Sequence, residues 1–405
     1  MIKRHLEKIC FHKEFGRQMR FISGPRQIGK TTLAKHILQQ SNQSKLYFNW
    51  DLREIRDKYH HDPYFFETSI YDATSKYPWV CMDEIHKMPK WKNILKDYFD
   101  RFEESARFIV TGSARLDLFR KSGDALSGRY FLFRLLPLTL SEASGKNLPT
   151  PYAEETALDF IERRISKPKY EQDLMSQLLE YSGFPEPFTK ASNRFYILWQ
   201  REMADQIIRE DVRELTRIID LENIANLIQI IPKRIGYPLS INSIKEDIQV
   251  SYNAINNAVS AMELTYIIFR LSPYSQKIAR SLKKEKKYYF YDWTRCKDPS
   301  IRFENYIAVE LKTLTELWNS SGIADFSLHY VRTKDGKETD FLVIKNNKPW
   351  CLFEVKLNDR QISSHHLKHA HSLGDIPLIQ LVNEPKVLKK PDAAVYRISA
   401  SRFLS

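Results

Sequence analysis

The chain has four cysteines, twelve glycines among its 405 residues, and no run of roughly 18 apolar residues. Cys10, Cys81, Cys296 and Cys351 are scattered without pairing or zinc spacing. That excludes a disulfide framework and a sulfur-held metal, and it fits a reducing compartment. The missing apolar run excludes a membrane span, and "MIKRHLEKICFHKEF" lacks the apolar core of a signal peptide. The expectation is a cytosolic protein with no membrane partner. No internal repeat or low-complexity tract appears. What is present in excess is positive charge: 63 Lys and Arg against 50 Asp and Glu, a net +13 and a pI near 9.3. A basic surplus attracts polyanions at long range, so nucleic acid is the first partner to consider.

The length favours two or three domains. Residues 1–150 alternate short apolar runs ("MRFIS", "KLYFNW", "WVCMDE", "RFIVTGS") with helical stretches, the pattern of a parallel sheet in an α/β fold. A polar, Pro-containing segment, "SGKNLPTPYAEE", reads as a linker, and residues 151–285 are mostly helical. Residues 286–405 read as strand, helix, three strands, helix and further strands, a third α/β domain.

"FISGPRQIGKTTLAKHIL" places Gly24, Gly29, Lys30 and Thr31 in the order G-x-x-x-x-G-K-T, between an apolar strand and an amphipathic helix. Backbone N–H groups of such a loop wrap phosphates, the helix dipole adds to them, the lysine reaches the β and γ phosphates, and the threonine hydroxyl binds magnesium. The expected cofactor is ATP with Mg2+, held by Gly24, Pro25, Arg26, Gln27, Ile28, Gly29, Lys30, Thr31 and Thr32. "YPWVCMDEIHKMPKW" supplies the acidic strand end: Asp83 to hold magnesium and Glu84 to polarise the attacking water. Two adjacent carboxylates also suit a solvated strand end. "RFIVTGSARLDLF" ends a further strand in Thr111, Gly112 and Ser113, where a polar side chain would flank the γ phosphate, or merely form a turn.

Together, "GPRQIGKTTL", "WVCMDEIHKMPKWKNILKDYFD", "FIVTGSARLDLF" and "ALSGRYFLFRLLPLTLSEA" resemble a prokaryotic family of AAA-type ATP-binding proteins. In that family a P-loop core precedes a winged-helix segment and a restriction-endonuclease-like domain. The resemblance implies Walker roles for Lys30, Asp83 and Glu84, a sensor role for Ser113, and an arginine-finger or phosphate-sensor role for Arg129. The bland alternative for Arg129 is a side chain snorkelling from a strand edge. DNA and further copies of the chain are the expected partners.

In the middle segment, "LSINSIKEDIQVSYNAINNAVSAMELTYIIFRLSPY" has the layout of helix, turn, second helix and strand, which resembles a winged helix-turn-helix. Ser251 would cap the second helix, Ile255, Val259 and Met262 would be buried, and Tyr252, Asn253, Asn256 and Asn257 would face outward near its start. Such modules read DNA or serve only as packing. Lys283, Lys284, Lys286 and Lys287 suit phosphates better than bases, or else a solvated loop.

The stretch "TDFLVIKNNKPWCLFEVK" is a hairpin by its Asn-Asn centre. With a three-residue loop, Asn346 to Lys348, Asp340 lies across from Glu354, and Lys356 shares the face of Glu354 because side chains alternate along a strand. Paired carboxylates repel, and a divalent cation relieves this and lowers the pKa of bound water. Glu304, on the helix "RFENYIAVEL", would be a further ligand. This is the D…E-x-K order of PD-(D/E)xK nucleases and matches the third domain of the family, with Thr339 where a proline often stands. Mg2+ or Mn2+ would serve Asp340, Glu354 and Lys356 there. A hairpin with a wet face explains the same residues. The expected function is ATP hydrolysis coupled to action on DNA. Two rivals are a nucleotide-switched scaffold whose C-terminal domain only binds, and a small-molecule or nucleotide kinase.

Overall fold

The computed structural model describes residues 2–112, 116, 126–166, 170–212, 221–275 and 285–405. Two compact units emerge: Leu6–Leu136, and Met1–His5 with Pro137–Ser405.

The first unit is built on five parallel strands, β1 (Met19–Ser23), β2 (Tyr47–Asn49), β3 (Trp79–Asp83), β4 (Arg107–Thr111) and β5 (Tyr130–Arg134), in the order β2-β3-β4-β1-β5. β1 is buried along its whole length, as expected where helices cover both faces of a parallel sheet. The helix Trp91–Phe102 turns Trp91, Ile94, Leu95, Tyr98, Phe99 and Phe102 inward at three- and four-residue spacing. They join Phe21, Val80, Met82 and Phe108 of the strands in one core. The ring of Phe66 meets Tyr98 edge-on at 4.9 Å, and each such buried ring contributes about 1.5–3 kcal/mol by removal from water.

In the second unit, helices Ala157–Ile165, Gln172–Tyr181 and Asn193–Gln206 precede a pair, Ile241–Ile248 and Tyr252–Leu264. The second helix of the pair starts where Ser251 Oγ accepts the Ala254 N–H at 3.2 Å. It buries Ile255, Val259 and Met262 and leaves Tyr252, Asn253, Asn256 and Asn257 exposed. An antiparallel pair follows, β6 (Ile268–Leu271) and β7 (Lys287–Phe290). Next come a helix of 22 residues, Pro299–Ser320, and β8 (Phe326–Arg332), β9 (Glu338–Lys345), β10 (Lys348–Lys356), β11 (Leu378–Val382), β12 (Leu388–Asp392) and β13 (Val395–Ser399). These six strands form a mixed sheet in the order β12-β13-β11-β10-β9-β8.

The compact first unit ends at Leu136 rather than near 150, and residues 151–285 and 286–405 fall within one unit. Hydrogen bonds across the expected borders show why. The Trp318 indole donates to the Pro149 carbonyl and the Trp293 indole to the Leu178 carbonyl, both at 2.8 Å. Glu310, buried on the long helix, accepts from the Leu140 N–H at 2.7 Å and the Tyr306 hydroxyl at 2.8 Å.

Burial pushes Glu310 up to about 8, against the pull of those two donors. Its folded value thus lies above the ordinary 4.5, so the folded chain keeps a proton that the unfolded chain releases between those limits. That contribution is complete below the ordinary value and is lost as pH rises towards 8, at up to about 1.4 kcal/mol per pH unit. Glu310→Gln, which mimics the protonated form, should therefore lose less urea stability than wild type between pH 5 and 8. Equal pH slopes for the two proteins would remove this account of Glu310.

Candidate nucleotide site and a carboxylate cluster

The phosphate loop sits at the carboxyl end of β1 and leads into the helix Lys30–Gln40. Gly24 has φ +145, and a Cβ there would lie 2.1 Å from the Leu135 carbonyl oxygen, so only glycine fits beside β5. Gly29 takes φ 97 just before the helix. Lys30 is 7% exposed, and its ammonium donates to the Gly24 and Pro25 carbonyls at 3.0 and 2.6 Å. The lysine side chain therefore reaches back across the loop to its first two residues.

Asp83 ends β3 and is 2% exposed. One carboxylate oxygen accepts from Thr31 Oγ1 at 3.0 Å and from the Tyr47 hydroxyl; the other accepts from Thr111 Oγ1. The Thr31 hydroxyl and Asp83 carboxylate, hydrogen-bonded and facing the loop, fit a magnesium ion with a nucleotide. Glu84 adopts φ 59, with its N–H bonded to the Thr111 carbonyl at 3.0 Å. Burial first, then the Asp83 charge, raise its carboxyl to about 7 against the attraction of Lys30. His86 Nε2 lies 3.5 Å from Glu84. A carboxyl titrating there can take a proton from water near neutral pH.

Tyr47 was not foreseen, since nothing in "KLYFNW" marks one tyrosine of a strand as a partner for an aspartate 36 residues on. Thr111 holds Asp83, and a Cβ on Gly112 would crowd His86 at 2.7 Å. Ser113 lies outside the described residues. Arg129 does not join the phosphate site of its own unit. It precedes β5, whose Tyr130 pairs with Met19 while Arg134 pairs with Ser23. Arg129 thus sits at the opposite strand end from the loop, roughly 20 Å away by strand rise. Its guanidinium is engaged by Asp100 at 2.7 and 3.2 Å.

In the mixed sheet the hairpin loop has two residues, Asn346 and Asn347, with φ of 50 and 62, because Lys345 pairs with Lys348. Left-handed φ at both central positions is the geometry of a type I′ turn. A register shift between Pro349 and Cys351 then adds the residue that the shorter loop removed. Phe341 pairs with Phe353, so one further step sets Asp340 opposite Glu354, as expected but by a different route. Asp340 accepts the Val355 N–H at 2.9 Å. The Lys356 ammonium donates to one oxygen of Glu354. The other, Oε2, is buried without a hydrogen-bond partner, with His366 Nδ1 at 3.4 Å. Burial and then the Asp340 charge push Glu354 up to about 8. Two opposed carboxylates, one with an orphaned oxygen, fit a hard divalent cation.

Glu304 approaches this place but is otherwise engaged. Its carboxylate accepts from the Tyr289 hydroxyl at 2.8 Å and lies 3.7 Å from the Lys287 ammonium. Among the described residues, no group of three or more His, Cys, Asp or Glu side chains is arranged to hold a metal ion. Lys287 itself corrects the expectation of a solvated lysine: it is 1% exposed, 2.5 Å from Glu338 and 3.9 Å from Asp340. Lys283 and Lys284 lie outside the described residues; Lys286 is half-buried. Thr339, in place of proline, contacts His366 Nδ1 at 2.8 Å and His369 Nδ1 at 2.7 Å on the helix Ser364–Ser372.

Residues 16–144 match the family model of an AAA domain. That stretch, with its parallel sheet and phosphate loop, is similar to an AAA-type nucleotide-binding domain. Residues 172–294 and 302–401 match models of two domains of unknown function, DUF8612 and DUF4143. Uncharacterised proteins of Mycobacterium bovis and Mycobacterium tuberculosis are each 22% identical over 368 residues, covering 89% of this chain and 74% of theirs. One of Methanocaldococcus jannaschii is 24% identical over 304 residues, covering 67% and 60%. Two solved structures superpose weakly: the Aeropyrum pernix ORC1 protein in complex with DNA (13% identity, 75% of this chain and 91% of that one, TM-score 0.27) and C. elegans PCH-2 (12%, 64% and 65%, 0.25). At those scores they carry no weight for the fold. No helix among the described residues is long and apolar enough to cross a membrane.

The contact at Gly24 gives a direct test of the loop. Gly24→Ala should abolish binding of a fluorescent ATP analogue, because the loop cannot keep its path beside Leu135. Retention of wild-type affinity would show that the loop does not need this path.

Proposed function

We propose that this chain is a cytosolic ATP-hydrolysing protein that acts on DNA, its nucleotide state coupled to a metal-dependent, nuclease-like centre in the mixed sheet. The ATPase half rests on Lys30, Thr31, Asp83 and Glu84 gathered at one end of a parallel sheet. Magnesium, when bound with the nucleotide, neutralises charge on the phosphoryl oxygens. Lys30 shares that task, Thr31 and Asp83 orient the ion, and Glu84 accepts a proton from the attacking water. A role in trans, towards a neighbouring copy of the chain, is the one left to Arg129.

The DNA half is carried by one observation, the convergence of Asp340, Glu354 and Lys356 on one face of adjacent strands. A divalent cation there supplies an acidified water, while Lys356 faces charge building on a phosphate. The helix pair, with its capped second helix and the β6/β7 strands behind it, has the layout of a winged helix and supports contact with a duplex through the exposed start of that helix. The surplus of +13 supports attraction to phosphates. A second reading, a nucleotide-switched regulator whose centre binds without cutting, is favoured by the Lys287 ammonium among the carboxylates.

Lys30→Ala should lose most nucleotide affinity, whereas Glu84→Gln should bind ATP and turn it over at least about a hundredfold more slowly; equal turnover would remove Glu84 from the reaction. Affinity for duplex DNA should fall steeply between 50 and 200 mM salt, and a flat response would deny the basic surplus that purpose. With Mg2+ or Mn2+, cleavage of plasmid or branched DNA should disappear in Asp340→Ala, Glu354→Ala and Lys356→Ala alike. Cleavage surviving all three substitutions would place the activity elsewhere. No cleavage by wild type with any divalent cation, with or without ATP, would leave the regulatory reading.

A further inference from the structure

The nuclease-like cluster receives a side chain from outside its own sheet. Lys287 and Tyr289 are alternate residues of β7, so both project to one side of that strand. Both reach Glu304: the tyrosine hydroxyl at 2.8 Å and the ammonium at 3.7 Å. The same ammonium touches Glu338 at 2.5 Å and Asp340 at 3.9 Å. It is a single positive charge, almost wholly removed from water, within ion-pairing distance of three carboxylates. Buried ammonium groups persist only where such partners repay their lost hydration.

The strand that carries this charge belongs structurally to the helix pair. β7 pairs with β6 along its length, and β6 follows directly on the helix Tyr252–Leu264. The segment that leads into the pair closes on the same place. Pro238 bridges to Lys287, and the Leu239 N–H donates to the Lys286 carbonyl at 2.9 Å. At Gly236, with φ +81, a Cβ would lie 2.8 Å from the Glu304 carboxylate.

We propose that Lys287 is a tethered counter-cation: inserted by the β6/β7 pair, it takes the charge-compensating place of a divalent ion beside Asp340 and detains Glu304, so metal binding and the position of that strand pair are competitive. The inference rests on the reading of Asp340 and Glu354 as a metal-binding pair. One consequence follows by linkage. Whatever draws β7 outward raises divalent affinity, and a bound divalent ion favours the outward strand by the same factor.

The test is Mn2+ binding to the full-length protein without nucleotide, followed by calorimetry and by water-proton relaxation, so no cleavage activity is needed. Lys287→Met keeps the length and apolar stem of the side chain but removes its charge, and should bind Mn2+ at least about tenfold more tightly than wild type, whereas Lys287→Arg should not. Adding Asp340→Asn to Lys287→Met should abolish the gain. If Lys287→Met folds only when Mn2+ is present, the ion has replaced the ammonium and the proposal stands. A Lys287→Met protein that binds Mn2+ no better than wild type, or stays unfolded at every Mn2+ concentration, overturns it. Tight Mn2+ binding by wild type and Lys287→Met alike would overturn the competition while leaving the metal pair intact. Absence of binding in every folded form would remove the metal pair and the competition together.

Discussion

A carboxylate taken out of water must find a partner or a proton, and both candidate sites are built around that constraint. Asp83 meets it with hydroxyls: Thr31, Tyr47 and Thr111 donate to its two oxygens. Glu84 meets it in part, and burial raises it to about 7. In the mixed sheet the same constraint has another solution. Asp340, Glu304 and Glu338 share Lys287, and Glu354 leans on Lys356, with burial and the neighbouring Asp340 charge pushing Glu304 to about 7 and Glu354 to about 8. Removing one partner from a buried pair typically costs about 3–5 kcal/mol, so these contacts shape the unit as well as its chemistry.

Readability from sequence followed distance along the chain. The phosphate loop was plain because its chemistry needs fixed spacing in consecutive residues, and strand and helix flank it as the pattern requires. The pairing of Asp340 with Glu354 was readable too, since alternation and a turn relate them. Yet the turn was misjudged by one residue. Asn346 and Asn347 both adopt left-handed φ and form the whole loop, and the irregularity after Pro349 restores the register. A bulge leaves no mark in an apolar run, so the right pairing came from a wrong local geometry. Three partners had no local signal: Tyr47 for Asp83, Lys287 for Glu304, and His366 for Thr339. Each arrives from another element, and only the fold brings them together. Arg129 shows the converse. Its sequence neighbourhood suggested the phosphates, but the direction of β5 puts it at the far strand end.

Thr339 illustrates what a departure from a motif can mean. Proline there has no side-chain hydroxyl, whereas the Thr339 hydroxyl meets Nδ1 of both His366 and His369. One hydroxyl carries one proton, so it can donate to only one of the two rings, and the other must donate to it. The contact therefore fixes different tautomers on neighbouring turns of one helix. Burial, then the neighbouring His365, holds His366 down to about 4, which makes it a neutral neighbour of Glu354 near pH 7. The threonine thus ties the Ser364–Ser372 helix to β9 at the residue before Asp340.

The position of Lys287 also bears on how a basic protein spends its charge. A lysine in a run of basic residues invites the assumption that it faces solvent and meets phosphate. Here Lys287, the first residue of β7, is buried among carboxylates, while Lys286 just before the strand is half-buried. Burial pulls Lys287 down, but Glu304, Asp340 and Glu338 outweigh it and hold the ammonium above the ordinary lysine range. Asp340, one half of the pair opposed to Glu354, is thereby also a reason for Lys287 to remain charged. Under the proposed competition the two cations would meet at the Asp340 oxygens, while Glu304 stays with the lysine and the Tyr289 hydroxyl of the same strand.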